Sequence, residues 1–96
     1  MNVNFISVAE REYFEAIEYY NQEQPGLGFE FAAEVDSAIQ RILEHPEAWV
    51  PISPRIRRCR VFRFPYGILY HYKEEEIVVV GVMHMRRHPN SWKDRL

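Results

Sequence analysis

The residues best suited to chemistry are the arginines and histidines in the second half of the chain. Five arginines crowd one short segment, and two more stand between a pair of histidines further on: Arg55, Arg57, Arg58, Arg60 and Arg63, then Arg86 and Arg87 between His84 and His88. An unpaired guanidinium is too costly to bury, so the basic side of the first segment must face solvent or an anion. The pattern therefore predicts either a solvated basic surface or a surface for an anionic partner.

Other kinds of chemical site are disfavoured by what surrounds these side chains. His84 and His88 have the spacing of two metal ligands on a helix, but they lie at a strand end before Pro89, without an acidic or cysteine neighbour. Cys59 is the only cysteine, and its alternation with Val61 is typical of a small core residue rather than a nucleophile. With only four glycines there is no Gly-rich phosphate loop. We therefore expect no metal site and no cofactor.

The basic segment opens a predicted sheet of three antiparallel strands within residues 55–89. A break at Pro65-Tyr66-Gly67 separates the first two strands, and the glutamates at 74–76 form the second turn. In the middle strand, Tyr70 and Tyr72 share an apolar face with Ile68, and we expect them to pack in the core rather than stack on nucleic-acid bases. The last strand is apolar on both faces, which is typical of a central strand. Its two alternating sets are Ile77, Val79, Gly81 and Met83, and Val78, Val80 and Val82.

Two helices are predicted in the first half, after a short strand at residues 3–6. A Ser7-x-x-Glu10 capping box starts the first helix, which should run to about Glu23. A second helix is predicted over residues 27–44, between Pro25-Gly26 and His45-Pro46. So short a connection favours an antiparallel hairpin packed on one sheet face.

The apolar stripes of the two helices define the expected core. They comprise Ala9, Tyr13, Ala16, Ile17 and Tyr20 in the first helix, and Phe31, Val35, Ala38, Ile39, Ile42 and Leu43 in the second. Glutamates, including Glu12, are expected on the remaining surface of the first helix. Three aromatic residues, Phe14, Tyr19 and Phe29, lie off the stripes. They predict a partner groove or a dimer face on the hairpin.

Composition and charge complete the prediction of one α+β domain over residues 1–96, in the order β-α-α-β-β-β with a mainly antiparallel sheet of about four strands. Residues 1–54 carry two basic and ten acidic residues, a charge of −8, whereas residues 55–96 carry ten basic and four acidic residues, a charge of +6. The predicted helices are thus acidic and the predicted sheet basic. A single cysteine and the lack of a leader or a long apolar run favour a cytoplasmic protein without membrane contact.

The order of these elements resembles that of the RelE/ParE superfamily of toxins from type II toxin–antitoxin modules, over nearly the whole chain. The most specific pieces are Arg57-Arg58, Phe64-Pro65-Tyr66, Tyr70 and the run from His84 to Trp92, which is closest to the ParE-like, plasmid-stabilisation branch. The resemblance implies a compact α+β domain and a cognate antitoxin that folds on binding, with a toxin–antitoxin hetero-oligomer as one expected assembly. It leaves the target open between DNA gyrase and the ribosome with its mRNA.

Within this resemblance the two branches imply different uses of the same residues. RelE-branch members cut mRNA on the ribosome by activating a 2′-hydroxyl, which requires cations around the developing charge and a general acid or base. The candidates for these roles are His84 and His88 for proton transfer and Arg58, Arg63 and Arg86 as cations. The RelE pattern also relies on several sheet lysines, whereas this predicted sheet carries only Lys73. The ParE branch poisons gyrase without a known catalytic constellation, and a basic binding face suffices for it.

The resemblance assigns two binding surfaces. The residues expected to contact the target are Arg57, Arg58, Arg60, Arg63, Arg86, Arg87 and Trp92. Those expected to contact the antitoxin are Phe14, Tyr19, Phe29 and Arg60. Three hypotheses follow: a gyrase poison, a ribosome-dependent mRNA endoribonuclease, and an inactive relative that only binds its partner.

Overall fold

Within residues 1–86 and 89–96, which the computed structural model describes, two helices pack on one face of a five-stranded sheet. The elements are β1 (Asn2–Phe5), α1 (Ser7–Glu23), α2 (Leu27–Glu44), β2 (Val50–Pro51), β3 (Arg57–Arg60), β4 (Tyr66–Lys73), β5 (Glu76–His84) and a 3₁₀ helix (Pro89–Trp92). The strand order is β1-β5-β4-β3-β2, with β1 parallel to β5 and every other pair antiparallel. The predicted α+β class is confirmed, and β5 lies inside the sheet as its two apolar faces indicated.

The sheet has one strand more than the four or so predicted, because β2 forms between α2 and β3. Val50 pairs with Arg58, and Pro51 pairs with Arg57, at the outer edge of β3. Proline is tolerated in an edge strand because its missing N–H can face away from the ladder. A strand of two residues is too short for its pattern to be read from the sequence.

The predicted helix limits are confirmed, but the predicted capping box is wrong. The N-cap of α1 is Ile6, in an extended conformation, and no side chain caps the helix. The Ile6 N–H donates to the Val79 carbonyl at 3.0 Å, and the Ile6 carbonyl accepts from the Glu10 N–H at 3.0 Å. Because the sheet holds Ile6, the chain turns directly from β1 into α1, and Ser7 becomes the first helical residue.

The predicted break at residues 65–67 is also misplaced, because Tyr66 and Gly67 already belong to β4. The connection occupies residues 61–65, and its left-handed residue is Arg63, with φ of 71°. A Cβ on Gly67 would stand 3.0 Å from the Arg58 stem and 3.1 Å from the Met85 sulfur. The glycine is needed for close packing across the sheet rather than for a turn.

Apolar residues cluster on both faces of the sheet. The helix-side core joins both helices to the sheet and contains Ala9, Ala16, Phe31, Val35, Ala38, Ile42, Cys59, Val61, Phe64, Ile68, Tyr70, Ile77, Val79 and Val82. Ile39 and Leu43 are only partly buried against it, and Tyr70 is fully buried as predicted. The outer cluster contains Ile56, Leu69, Val80, Met83 and Trp92. Trp92 belongs to the final 3₁₀ helix, so the C-terminal residues cover part of the face opposite the helices.

A β-bulge changes which residues of β5 face the helices. Leu69 pairs with Gly81 and Tyr70 pairs with Val79, so Val80 is an extra residue on β5. Ile77, Val79 and Val82 therefore join the helix-side core, whereas Met83 joins the outer cluster. The predicted grouping of Met83 with Ile77 and Val79 is wrong because a bulge reverses the alternation after it.

A buried ion pair links α1, β5 and the C-terminal residues. Glu12, expected at the surface, is 8% exposed, and both of its carboxylate oxygens accept from the Arg95 guanidinium, at 2.8 and 2.9 Å. The carboxylate also accepts from the Val82 N–H at 3.1 Å, and Arg95 donates to the Val80 carbonyl at 2.9 Å. The last β1 partner of β5 is Val79. The two side chains thus bond to the β5 backbone just beyond the end of β1.

In the part of the chain described, neither helix combines the length and the apolar character that crossing a bilayer requires.

We expect Glu12→Ala to lower the free energy of unfolding by about 3–5 kcal/mol, because it leaves the Arg95 guanidinium buried without its carboxylate. The measurement is urea denaturation followed by tryptophan fluorescence. Glu15→Ala removes an exposed carboxylate from the same helix and should change the unfolding free energy by less than about 0.5 kcal/mol. Equal, small effects of the two substitutions would contradict a structural role for the ion pair.

Candidate functional site

A cleft of about 330 Å³ opens on the sheet face opposite the helices. Its apolar lining comes from several elements: Ile52, Leu69, Met83, Met85 and Trp92. Arg58 and His84 complete the lining. The register explains why they meet, because Arg58 on β3 lies opposite Leu69 on β4, and Tyr66 on β4 lies opposite His84 on β5. Three predicted site residues, Arg58, His84 and Trp92, are thereby brought to one place.

Arg58 is held in the wall of this cleft by close packing. Its stem runs beside Gly67, where the absent side chain leaves room for it. Its Nε is buried and has no hydrogen-bond partner within the described residues. Among the described residues that line the cleft, no other donor carries a fixed positive charge.

His84 lies at the end of β5 and is half-buried. Its Nδ1 accepts from the Arg86 backbone N–H at 3.1 Å, and its ring stands edge-on to that of Tyr66, with centroids 5.4 Å apart. A neutral imidazole that accepts at Nδ1 carries its proton on Nε2. His84 is therefore set as a hydrogen-bond donor, and acting as a base through Nε2 would require the other tautomer.

The other predicted cations are placed elsewhere or bonded within the molecule. Arg57 donates to the Trp49 carbonyl at 2.8 Å. Arg63 turns toward α2, where it contacts Glu30 at 2.7 Å and Glu34 at 3.6 Å. The hydrogen bond that Arg63 donates to Glu30 raises the pKa of the Arg63 guanidinium. The structure therefore does not bring Arg57 or Arg63 to the cleft.

The remaining predicted residues are at the surface or outside the described residues. Arg60 is exposed at the end of β3, and Arg86 is exposed two residues after His84. Arg87 and His88 lie outside the described residues. Among the described candidate cations, only Arg58 and Arg86 are thus close in position to His84.

The three aromatic residues of the hairpin are exposed, as predicted, but they do not form one patch. Phe14, Tyr19 and Phe29 are 58%, 54% and 70% exposed. Five helical positions separate Phe14 from Tyr19, which places them about 140° apart around α1. Phe14 contacts the Tyr13 ring, whereas Tyr19 lies with Tyr66 and His84 along a smaller cleft of about 220 Å³. The hairpin therefore presents apolar rings on two different sides of α1.

The connection between β3 and β4 exposes a further aromatic residue, Phe62, which precedes the predicted break at residues 65–67. Phe62 is 57% exposed, and the Arg41 guanidinium stacks over its ring at 3.8 Å. Arg41 also donates to the Arg60 carbonyl at 2.8 Å. An aromatic residue two positions beyond a strand carries no sequence signal of this exposure.

The burial of Glu12 could have been predicted from the sequence. It lies three residues after Ala9 and four before Ala16, so helical spacing places it on the apolar stripe itself. A charged residue on such a stripe indicates a buried partner, here Arg95.

Comparisons with known proteins agree with this architecture. A family model described as "ParE toxin of type II toxin-antitoxin system, parDE" matches residues 3–89. Toxin ParE2 of Mycobacterium tuberculosis, in strains CDC 1551 / Oshkosh and ATCC 25618 / H37Rv, is 29% identical over 83 residues, which are 85% of this chain and 79% of that protein. A solved structure titled "Chromosomal ParDE TA system from P. aeruginosa" aligns with a TM-score of 0.75 at 12% identity, over 88% of this chain and 95% of that one. The similarity to this solved structure is a similarity of fold.

Cys59 provides a test of the buried side of β3. It is 1% exposed, and burial raises the pKa of its thiol, while Arg41 acts in the opposite direction. A raised pKa means less thiolate at neutral pH, so we expect Ellman's reagent to react with the folded chain more than about tenfold more slowly than with a free cysteine. The same reaction in concentrated guanidinium chloride supplies the reference rate. Equal rates in the two conditions would reopen the nucleophile hypothesis.

Proposed function

The chain belongs to the ParE toxin family of type II toxin–antitoxin systems, and from this premise we propose that it stops growth by poisoning DNA gyrase in the cytoplasm. A cognate antitoxin neutralises it. The alternative within the superfamily is cleavage of mRNA on the ribosome. The surroundings of His84 are the observation that carries the choice between the two.

Within the described residues, Arg58 and Arg86 are the only candidate cations close to His84, fewer than phosphate chemistry would require. A reaction that builds negative charge on a phosphate needs several donors aimed at that charge. Arg57 bonds to a backbone carbonyl, Arg63 to α2, and Arg95 to Glu12. The floor of the neighbouring cleft is apolar, formed by the outer cluster. This arrangement favours a binding surface over a site of phosphate transfer.

The target surface that we propose is centred on Arg58, Arg60 and Arg86. These three guanidinium groups form no ion pair within the described residues, so they are available to an anionic partner. Arg57, Arg63 and Trp92 act as supports of this surface, because their contacts are internal. Arg87 remains a candidate on the basis of sequence alone.

The antitoxin contacts that we propose are Phe14, Tyr19, Phe29 and Arg60. Since Phe14 and Tyr19 point to different sides of α1, a single straight groove cannot cover both. A segment that folds as it binds can wrap around the hairpin and reach both sides. The antitoxin is therefore expected to be disordered, at least in part, before it binds.

The gyrase proposal is tested with the purified chain in a supercoiling assay. We expect inhibition of supercoiling by gyrase and accumulation of cleaved plasmid, without cleavage of mRNA on translating ribosomes. His84→Ala should reduce the effect only by an amount that fits one lost hydrogen bond, about 1 kcal/mol.

The opposite pattern identifies an enzyme. A general acid or base contributes roughly 100-fold to 10,000-fold to a rate, so loss of nearly all mRNA cleavage in His84→Ala, with unchanged melting temperature, would contradict the gyrase proposal. No growth arrest and no effect in either assay would identify an inactive, partner-binding relative.

The antitoxin surface is tested by Phe14→Ser and Phe29→Ser, measured by calorimetry with the product of the adjacent small reading frame. Each substitution should weaken binding by about 1–2 kcal/mol, as is usual for an exposed aromatic anchor. Val50→Ser, which removes an equally exposed apolar side chain from β2, should leave the affinity unchanged. Equal effects at all three positions would mean that the hairpin is not the contact surface.

A further inference from the structure

Arg58, which lines the cleft beside β3, has one buried nitrogen without an acceptor in the described residues. The Nε of Arg58 is buried and finds no hydrogen-bond partner in the described residues. Buried polar groups in native proteins are nearly always paired, because an unpaired one loses its hydration without compensation. The Arg58 guanidinium also forms no ion pair within the described residues, so a bound anion is expected to balance its charge.

The shape and lining of the cleft restrict what that molecule carries. About 330 Å³ accommodates one large side chain, and the floor is formed by Leu69, Met83 and Trp92. These groups offer apolar contact but almost no hydrogen bonding. The ligand must therefore combine an apolar group for the floor with an acceptor for Arg58.

Charge narrows the choice further. Among the described residues that line the cleft, Arg58 and His84 are polar and none is acidic. A phosphate would present three or more oxygens that the apolar floor cannot bond, whereas a carboxylate matches one guanidinium fork. Complementarity therefore favours a carboxylate next to an apolar side chain.

We propose that this cleft receives a large apolar side chain and an adjacent carboxylate from the antitoxin, with the carboxylate accepting from Arg58. The inference rests on the proposed neutralisation by an antitoxin and specifies the chemistry of the segment that binds. Packing against Gly67 keeps the Arg58 stem in place before binding. A donor that is already positioned loses less conformational freedom on binding.

The three methionines of the chain allow the site to be tested directly. Met83 and Met85 line the cleft, and Met1 is exposed at the other end of the chain. In chain synthesised in a cell-free system with ¹³C-methyl methionine, 4-phenylbutyrate should shift the Met83 and Met85 methyl resonances and leave Met1 unchanged. The cationic analogue 4-phenylbutylamine should bind more weakly by about tenfold or more.

Two substitutions at Arg58 separate charge from packing. Arg58→Met keeps the length of the stem and should weaken 4-phenylbutyrate binding by about tenfold or more, and Arg58→Lys should fall between it and the unaltered chain. Lys73→Met removes an exposed cation from the end of β4 and should bind as the unaltered chain does. Equal binding of the amine and the carboxylate, or unchanged binding in Arg58→Met, would overturn the proposal.

The antitoxin completes the test. Arg58→Met should weaken its binding by about tenfold or more, whereas Lys73→Met should not. If the antitoxin neutralises Arg58→Met as well as it neutralises the unaltered chain, the proposed occupant of the cleft is wrong. Neutralisation itself would then stand, so this outcome separates the failure of the site from the failure of the proposed function.

Discussion

The rest of the structure depends on the ion pair between Glu12 and Arg95. The bulge at Val80 and the early end of β1 leave backbone groups of β5 without a neighbouring strand, and this ion pair bonds to two of them. Replacing a whole buried ion pair by apolar residues is often neutral for stability, whereas losing one partner is costly. We therefore infer that the main role of this ion pair is to position parts of the chain rather than to add stability. It sets where the C-terminal residues meet the sheet.

The position of the C-terminal residues determines which part of the outer face of the sheet they cover. With Arg95 bound to β5, Trp92 lies on Leu69, Val80 and Met83 and gives the cleft one of its walls. Ion pairs also link the acidic half of the chain to the basic half, because Arg63 bonds to Glu30 and Arg95 bonds to Glu12. Part of the charge separation of the sequence is thus neutralised across the helix–sheet interface. A count of arginines overstates the basic surface that remains for a partner.

Local signals were enough to predict some elements and insufficient for others. The limits of α1 and α2 followed from helical periodicity and from the breaks at Pro25-Gly26 and His45-Pro46, which act over a few residues. The cap at Ile6, the close approach at Gly67 and the bulge at Val80 depend on strands far away in sequence. The candidate site was likewise predicted only in part. Arg58, His84 and Trp92 were predicted, whereas Ile52 and Met85 became part of the cleft only through tertiary packing.

Strand geometry explains why the arginine-rich segment does not build a phosphate-reacting site. Side chains alternate between the faces of a strand, so Arg57 shares the helix side with the buried Cys59, while Arg58 and Arg60 share the other side. Beyond β3 the left-handed backbone of Arg63 turns its side chain to α2. Four neighbouring arginines are thereby divided among three environments. Only the pair on the outer face is left to meet an anion, which suffices for binding a partner and falls short of surrounding a phosphate.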